Sequence, residues 1–160
     1  MGRLEVSPFS FELMIVKALD LCENLVCGFY NYDPLKDGVE NIVVTPFGDF
    51  TVNPKTICRN SGIKDKNGHY VHEYDLLKIT HGIKPFFYGF IVWDEFYKSW
   101  KIRRRTDRTS YCNVDDWTIE VVGNVVLNDE DAEIIYNQEK EEDEKEAFID
   151  NSYCPSKFRR

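Results

Sequence analysis

A chain of 160 residues, 42% hydrophobic and 30% charged, is long enough for one sizeable core with appendages and too short for two large domains. Its net charge of −8 works against nonspecific binding of a polyanion by the surface as a whole. No window approaches a membrane span, the first residues lack the features of a signal peptide, and the Ser or Thr that myristoylation requires is missing, so a cytosolic location away from membranes is expected.

From Glu12 to Tyr32 the segment ELMIVKALDLCENLVCGFYNY holds two apolar runs split by the polar DLCEN. Ile15, Val16, Val26, Phe29 and Tyr30 favour a hairpin of strands, although the first run also admits a helix. YDPLKDG reads as a loop, NIVVT as a short strand and PFGD as a turn. In FTVNPKTI, Pro54 allows at most an edge or broken strand. Lys64 to Gly68, KDKNG, reads as a hairpin turn with Asn67 and Gly68 at positive φ and Asp65 as a member. Glu73 and Asp75 would share a face of extended chain, as a carboxylate pair for acid/base work does, but an Asp just before a strand commonly accepts hydrogen bonds from turn N–H groups.

Strands follow in LLKIT, in KPFFYGFIVW and in FYKSWKI, with a bend in DEFYKS between them, and the last strand is WTIEVVGNVVL, where Gly123 marks a bulge or a close backbone approach. Strands from Leu76 to Leu127 are expected to close into a small barrel. Asn128 then offers an N-cap, with Asp129, Glu130 and Asp131 in the first helical turn. The helix is predicted to run to Ala147, docked by Ala132, Ile135 and Tyr136, with its charged second half solvated or frayed.

The cysteines, Cys22, Cys27, Cys58, Cys112 and Cys154, are scattered and odd in number, which predicts reduced thiols. No Cys or His pair sits at zinc-ribbon spacing, and His69, His72 and His81 fall on a turn, a strand entry and a strand exit, so no metal or other cofactor is expected. A Gly-rich phosphate loop, G-x-S-x-G and H-E-x-x-H are all missing, which argues against an enzyme.

Two charge runs remain. EKEEDEKE, Glu139 to Glu146, has six acids against two lysines, and KIRRRTDR, Lys101 to Arg108, has five bases against one acid. Arg103, Arg104, Arg105 and Arg108, interleaved with Trp100 and Tyr111, form a candidate nucleic-acid surface in which guanidiniums grip phosphates and rings stack on bases. Alternatively, the three consecutive arginines sit in a solvated loop or pair with the acidic helix; a third reading makes that helix a lure for a DNA-binding protein. Phe86, Phe87, Tyr88, Trp93, Phe96, Tyr97 and Trp100 lie within fifteen residues of one another. Most must be core, and the surplus suits an interface with a second copy or another protein.

TICRNSGIKDKNGHYVHEYDLLKI resembles a segment of YopX-like proteins of phages and prophages. There a Thr-x-x-x-Thr/Ser-Gly-Leu/Ile-x-Asp-x-Asn-Gly turn leads through Tyr/Phe-Glu-Gly-Asp into a hydrophobic strand. IEVVGNVVLNDEDAEII is similar to the family's closing Glu-Val-Ile-Gly-Asn-Ile-Tyr-x-Asn-Pro-Glu-Leu-Leu pattern, and VKALDLCENLVCGFY to its N-terminal region, so residues 14 to 136 are covered in order. Tyr74 stands where the family has Gly, His72 where an aromatic is usual, and Asp129 where Pro is typical. The resemblance implies a small β-rich protein with an SH3-like barrel in its C-terminal part and no established activity. The expected fold is mainly β (α+β), with a β-rich region over 1–60, the barrel over 61–128, and an acidic helix with a mobile tail over 129–160. The expected role is that of a phage or prophage accessory protein, a non-catalytic binding module that self-associates or meets a host protein. The alternative is a nucleic-acid-binding protein using 101–108.

Overall fold

The computed structural model describes residues 11–31, 41–107 and 111–153, and the fold is mainly β with one long C-terminal helix. The expected loop over Tyr32–Gly38, the tail from Cys154, and Arg108 lie outside the described residues. The first sheet is an antiparallel meander of β1 (Ile15–Leu19), β2 (Leu25–Asn31), β3 (Ile42–Thr45) and β4 (Gly48–Thr51). Asp20 shapes the β1–β2 turn, its Oδ1 accepting from the backbone N–H of Cys22 at 2.9 Å and of Asn24 at 2.8 Å. Before β1 the chain is helical, with α1 at Phe11–Met14, so the strand reading holds only from Ile15. β4 lies at the sheet edge, and Pro54 opens a single 3-10 turn, Pro54–Thr56, whose N-cap Asn53 accepts from the Lys55 N–H. After β4 the chain curls back to β1 through single bridges, Asp20 with Val52 and Lys17 with Cys58. Val16, Ala18, Val26, Val43 and Val52 fill the interior of this curl.

A two-stranded hairpin, β5 (Asn60–Lys64) and β6 (Tyr70–His72), leads into a five-stranded antiparallel sheet. That sheet has the order β10-β9-β8-β7-β11, from β7 (Asp75–Thr80), β8 (Phe87–Asp94), β9 (Ser99–Arg103), β10 (Tyr111–Asn113) and β11 (Thr118–Asn124). Both faces are apolar, so its central strands read as continuous hydrophobic runs. On one face Leu77, Ile79, Ile91, Ile102 and Ile119 pack under Val71 of the hairpin. On the other, Leu76, Phe90 and Val92 meet Ile135 of the C-terminal helix.

The expected barrel does not close. β10 pairs with β9 and β11 with β7, on opposite edges, and closure would require a ladder between β10 and β11. Instead a 3-10 turn, Val114–Asp116, carries the chain across the open side and sets Val114 into the core.

Gly123 is both bulge and close approach. The β11–β7 register shifts between Val121 and Gly123, and a Cβ on Gly123 would lie 2.2 Å from Asp131 Oδ2. Asp131 belongs to the first turn of α2 (Asp129–Tyr153), and it accepts from the Asn124 N–H at 2.9 Å. The helix starts as predicted, with Asn128 Oδ1 accepting from the Glu130 N–H at 3.0 Å. It runs past Ala147 to Tyr153, and Ile135 docks at 1% exposure whereas Tyr136 turns outward at 54%. Burying Ile135 is worth about 1.5–3 kcal/mol. The rest of the docking is polar: the Gln138 side chain accepts from Tyr88 N–H at 2.7 Å and donates to Tyr88 C=O at 2.8 Å.

Candidate binding surface

The turn residues singled out in the sequence form a structural node. In Lys64–Gly68 the positive φ falls on Gly68, at 82°, and not on Asn67 as expected. The reason is the turn type: Gly68 N–H donates to Asp65 C=O at 3.0 Å and Asp65 N–H to His69 C=O at 2.8 Å, leaving the left-handed step to the residue after an ordinary turn. Asp65 Oδ1 accepts from the N–H of Asn67 at 3.0 Å and of His69 at 2.9 Å, and its Oδ2 from Val121 N–H at 3.0 Å, which ties the hairpin to β11. Burial opposes ionisation of Asp65, yet these donors outweigh it and hold the carboxyl below its usual range.

Asp75 is the second half of the node. Its Oδ2 accepts from His72 N–H at 2.7 Å and its Oδ1 from Asn124 Nδ2 at 3.0 Å. Burial raises its pKa above the usual range. Asn124 also donates to the Glu73 carbonyl at 3.2 Å, so it joins β11 to the β6–β7 turn. Tyr74 in that turn has φ 66°, the left-handed backbone that a Gly adopts freely, and its peptide groups are held by Ile91 C=O and Val125 N–H. Glu73 and Asp75 are no acid/base pair, because Glu73 Oε2 pairs with Arg59 at 2.9 Å while Asp75 turns into the core. Cys58, fully buried beside this node, has its thiol pKa pushed up by burial to about 12, which leaves it inert.

The arginine stretch divides. Arg105, 5% exposed, reaches Asp107 at 2.8 Å, Asp143 at 2.9 Å and Glu142 at 3.2 Å. Arg104 pairs with Glu142 and lies over the Phe87 ring, Cζ to centroid 4.1 Å. Glu139 accepts from the Thr106 N–H, and Arg103 donates to Thr106 C=O at 3.0 Å while lying over Phe90. The second half of α2 is therefore tied to the sheet through Glu139, Glu142 and Asp143, while Lys140, Glu141 and residues 144–147 are solvated as expected. Tyr111 falls in β10, and Trp100 lies on β9, apart from the arginine–helix contacts.

Trp100 belongs instead to an aromatic cluster at the end of the β8–β9 hairpin. Directly opposite it across the ladder is Trp93, ring centroids 5.2 Å apart and nearly edge to face. Beyond them the hairpin turn carries Phe96 and Tyr97, in edge contact at 4.8 Å and exposed to 83% and 69%. The turn is rigid: buried Asp94 accepts from Phe96 N–H at 3.0 Å, Lys98 takes φ 52°, and Glu95 bridges Trp93 Nε1 at 2.9 Å and Lys98 Nζ at 3.0 Å. Arg59 lies over Trp100 at 5.5 Å and Lys101 near Tyr97 at 5.6 Å. The tip thus presents large apolar rings in fixed geometry with cations beside them.

Sequence reasoning offered the pairing of the arginines with the acidic helix, which Arg104 and Arg105 make with Glu142 and Asp143, but it did not find the rest of the polar docking face of α2. Its contacts come from Asp131, Ile135, Gln138, Glu139, Glu142 and Asp143, a stripe at helical spacing in which only Ile135 is apolar. Apolar periodicity alone does not detect such a face. Among the described residues no group of His, Cys, Asp or Glu is placed to hold a metal ion, and no helix is long and apolar enough to cross a membrane. No family model, curated protein or solved structure matches the chain, so the likeness to YopX-like proteins rests on the motifs quoted above.

Proposed function

We propose that this chain is a non-catalytic protein-binding module whose contact surface is the aromatic end of the β8–β9 hairpin and whose first partner is a second copy of itself. The observation that carries this reading is the exposure of Phe96 and Tyr97, at 83% and 69%, on a turn that four hydrogen-bonded side-chain contacts hold in place. Rigid aromatics lose little conformational freedom on binding, which makes them effective anchors. The surface suits a two-fold contact because it supplies both halves of a cation–π pair, rings from Phe96 and Tyr97 and ammoniums from Lys98 and Lys101. With the resemblance to YopX-like proteins, the module would serve a phage or prophage in the host cytosol.

The pairing of Arg104 and Arg105 with α2 favours this reading over a phosphate-gripping loop, since those charges already have carboxylate partners. Light scattering on the wild type and on Phe96→Ser/Tyr97→Ser tests it. The wild type should dimerise at micromolar concentration, and the double variant should be monomeric with an unchanged melting temperature. A monomeric wild type overturns self-association; a host protein captured by the wild type and lost in the double variant would then assign the same surface to that partner.

A further inference from the structure

The turn at Lys64–Gly68 contains the only Asn-Gly step of the sequence, Asn67-Gly68. Such a step carries its own reagent. The glycine nitrogen attacks the Asn Cγ, a five-membered imide closes, and the side-chain nitrogen leaves as ammonia with the proton given up by the glycine nitrogen; water then opens the imide at either carbonyl to leave Asp or isoaspartate. Glycine favours the attack because it carries no Cβ to obstruct its nitrogen, and no neighbour takes that place, since a Cβ on Gly68 would meet nothing within 4 Å. Asn67 and Gly68 are both exposed, so water reaches them. In the closed turn, however, each reacting group is engaged. Gly68 N–H donates to the Asp65 carbonyl at 3.0 Å, and the Asn67 side-chain amide donates to Glu120 Oε2 at 3.4 Å. Asn67 N–H, on Asp65 Oδ1 at 3.0 Å, fixes the backbone between them. Turning the Gly68 nitrogen toward the Asn67 side chain breaks the first two contacts and strains the third.

We propose that Asn67 is a deamidation site gated by opening of the Asp65 turn, and that its conversion loosens the hold of that turn on β11. The product has a carboxylate where the amide donated, facing Glu120 and two residues from Asp65. Like charges so placed repel, and Lys66 Nζ, 3.5 Å from Glu120 Oε1, offsets a part of this. The isoaspartate form also adds a methylene to the backbone. That extra length falls beside the two bonds that tie the turn to β11, Val121 N–H on Asp65 Oδ2 and Lys66 N–H on Ile119 C=O, each at 3.0 Å. The reaction that opening permits therefore disfavours reclosing, and the site changes in one direction only.

The full chain is incubated at neutral pH, folded and in guanidinium chloride, and the conversion of Asn67 is followed by peptide mapping and mass spectrometry with isoaspartate resolved from Asp. The expected result is conversion about a hundredfold slower in the folded chain, the factor by which three ordinary hydrogen bonds disfavour opening, with isoaspartate among the products of both. In the folded wild type, hydrogen-exchange protection of the Gly68 amide should equal that factor to within about threefold, because one opening event exposes both reactions. Glu120→Ala, which removes the side-chain acceptor and leaves the Asp65 bonds in place, should speed the folded reaction about fivefold. Asn67→Asp, which makes the product directly, should speed exchange of the Val121 amide. Equal rates in the folded and unfolded chains overturn the gating, as does a Gly68 protection that differs from the ratio of rates. Conversion without isoaspartate overturns the imide route, and unchanged Val121 exchange in Asn67→Asp overturns the loosening of the turn.

Discussion

Gly123 and Asp131 should behave as one unit in a double-mutant cycle. A Cβ at position 123 would sit 2.2 Å from Asp131 Oδ2 and 2.5 Å from its Cγ, so Gly123→Ala forces the carboxylate off the Asn124 N–H that it holds at 2.9 Å. A partly buried hydrogen bond to a charged acceptor is worth about 1.5–3 kcal/mol, and residual crowding adds to its loss. Asp131→Ala removes the same bond, together with an acidic charge in the first helical turn worth about 0.3–1 kcal/mol. Each single variant should therefore lose about 2 kcal/mol, which for a chain of this length lowers the melting temperature by about 4–8 °C. The double variant should lose no more than Asp131→Ala alone, because the three atoms nearest the new methyl all belong to the Asp131 carboxylate and are then gone, and a strand Gly→Ala is favourable by about 0.5–1 kcal/mol. Urea unfolding of the four proteins gives the coupling directly. Additive losses, with the double variant down by the sum of the two, would refute the placement of Gly123 against the helix.

Replacing Arg103, Arg104 and Arg105 with Ala should speed amide exchange between Gln138 and Glu146 and leave the β8 core protected, while nucleic-acid binding stays undetectable before and after; a salt-sensitive complex of the wild type with DNA or RNA would count against this. Acid should weaken the fold through His72. Its folded pKa of about 4 lies below the ordinary 6.5, so the unfolded chain takes up a proton first and stability falls as pH drops from about 6.5 to about 4, by up to about 3 kcal/mol. Asp75, whose folded pKa is raised, opposes this at the acid end, since there the folded state binds the extra proton. His72→Gln should flatten the slope of urea midpoint against pH over that window; an unchanged slope would show that the ring is not held neutral.

The strands were legible because their signals are local. The β-branched and aromatic runs of β1, β2, β7 and β8 and the Asx turn at Asp65 could be read from neighbours in sequence. The role of Asp75 as a turn acceptor was legible for the same reason, and so was Gly123. What stayed hidden depends on partners far along the chain. The join of Asn124 to Asp75 spans 49 residues and that of Gln138 to Tyr88 spans 50, and neither residue type announces a distant partner. Trp100 and the arginines, neighbours in sequence, separate because successive residues of β9 face opposite sides of the sheet and the chain leaves the ladder at Arg104. Barrel closure failed as an expectation because strand count does not determine which edges meet.

The bond between Gln138 and Tyr88 has a meaning beyond helix attachment. In the β8–β9 register the residue opposite Tyr88 would be Arg105, but β9 ends two residues earlier, so the peptide groups of Tyr88 face a missing neighbour. A primary amide carries one carbonyl and one N–H donor at the spacing of a peptide unit, and Gln138 offers both to the same residue. The helix thereby counterfeits one rung of a strand and seals the border of the sheet. If α2 were pulled away, that border would become a template on which the backbone of another chain could add itself.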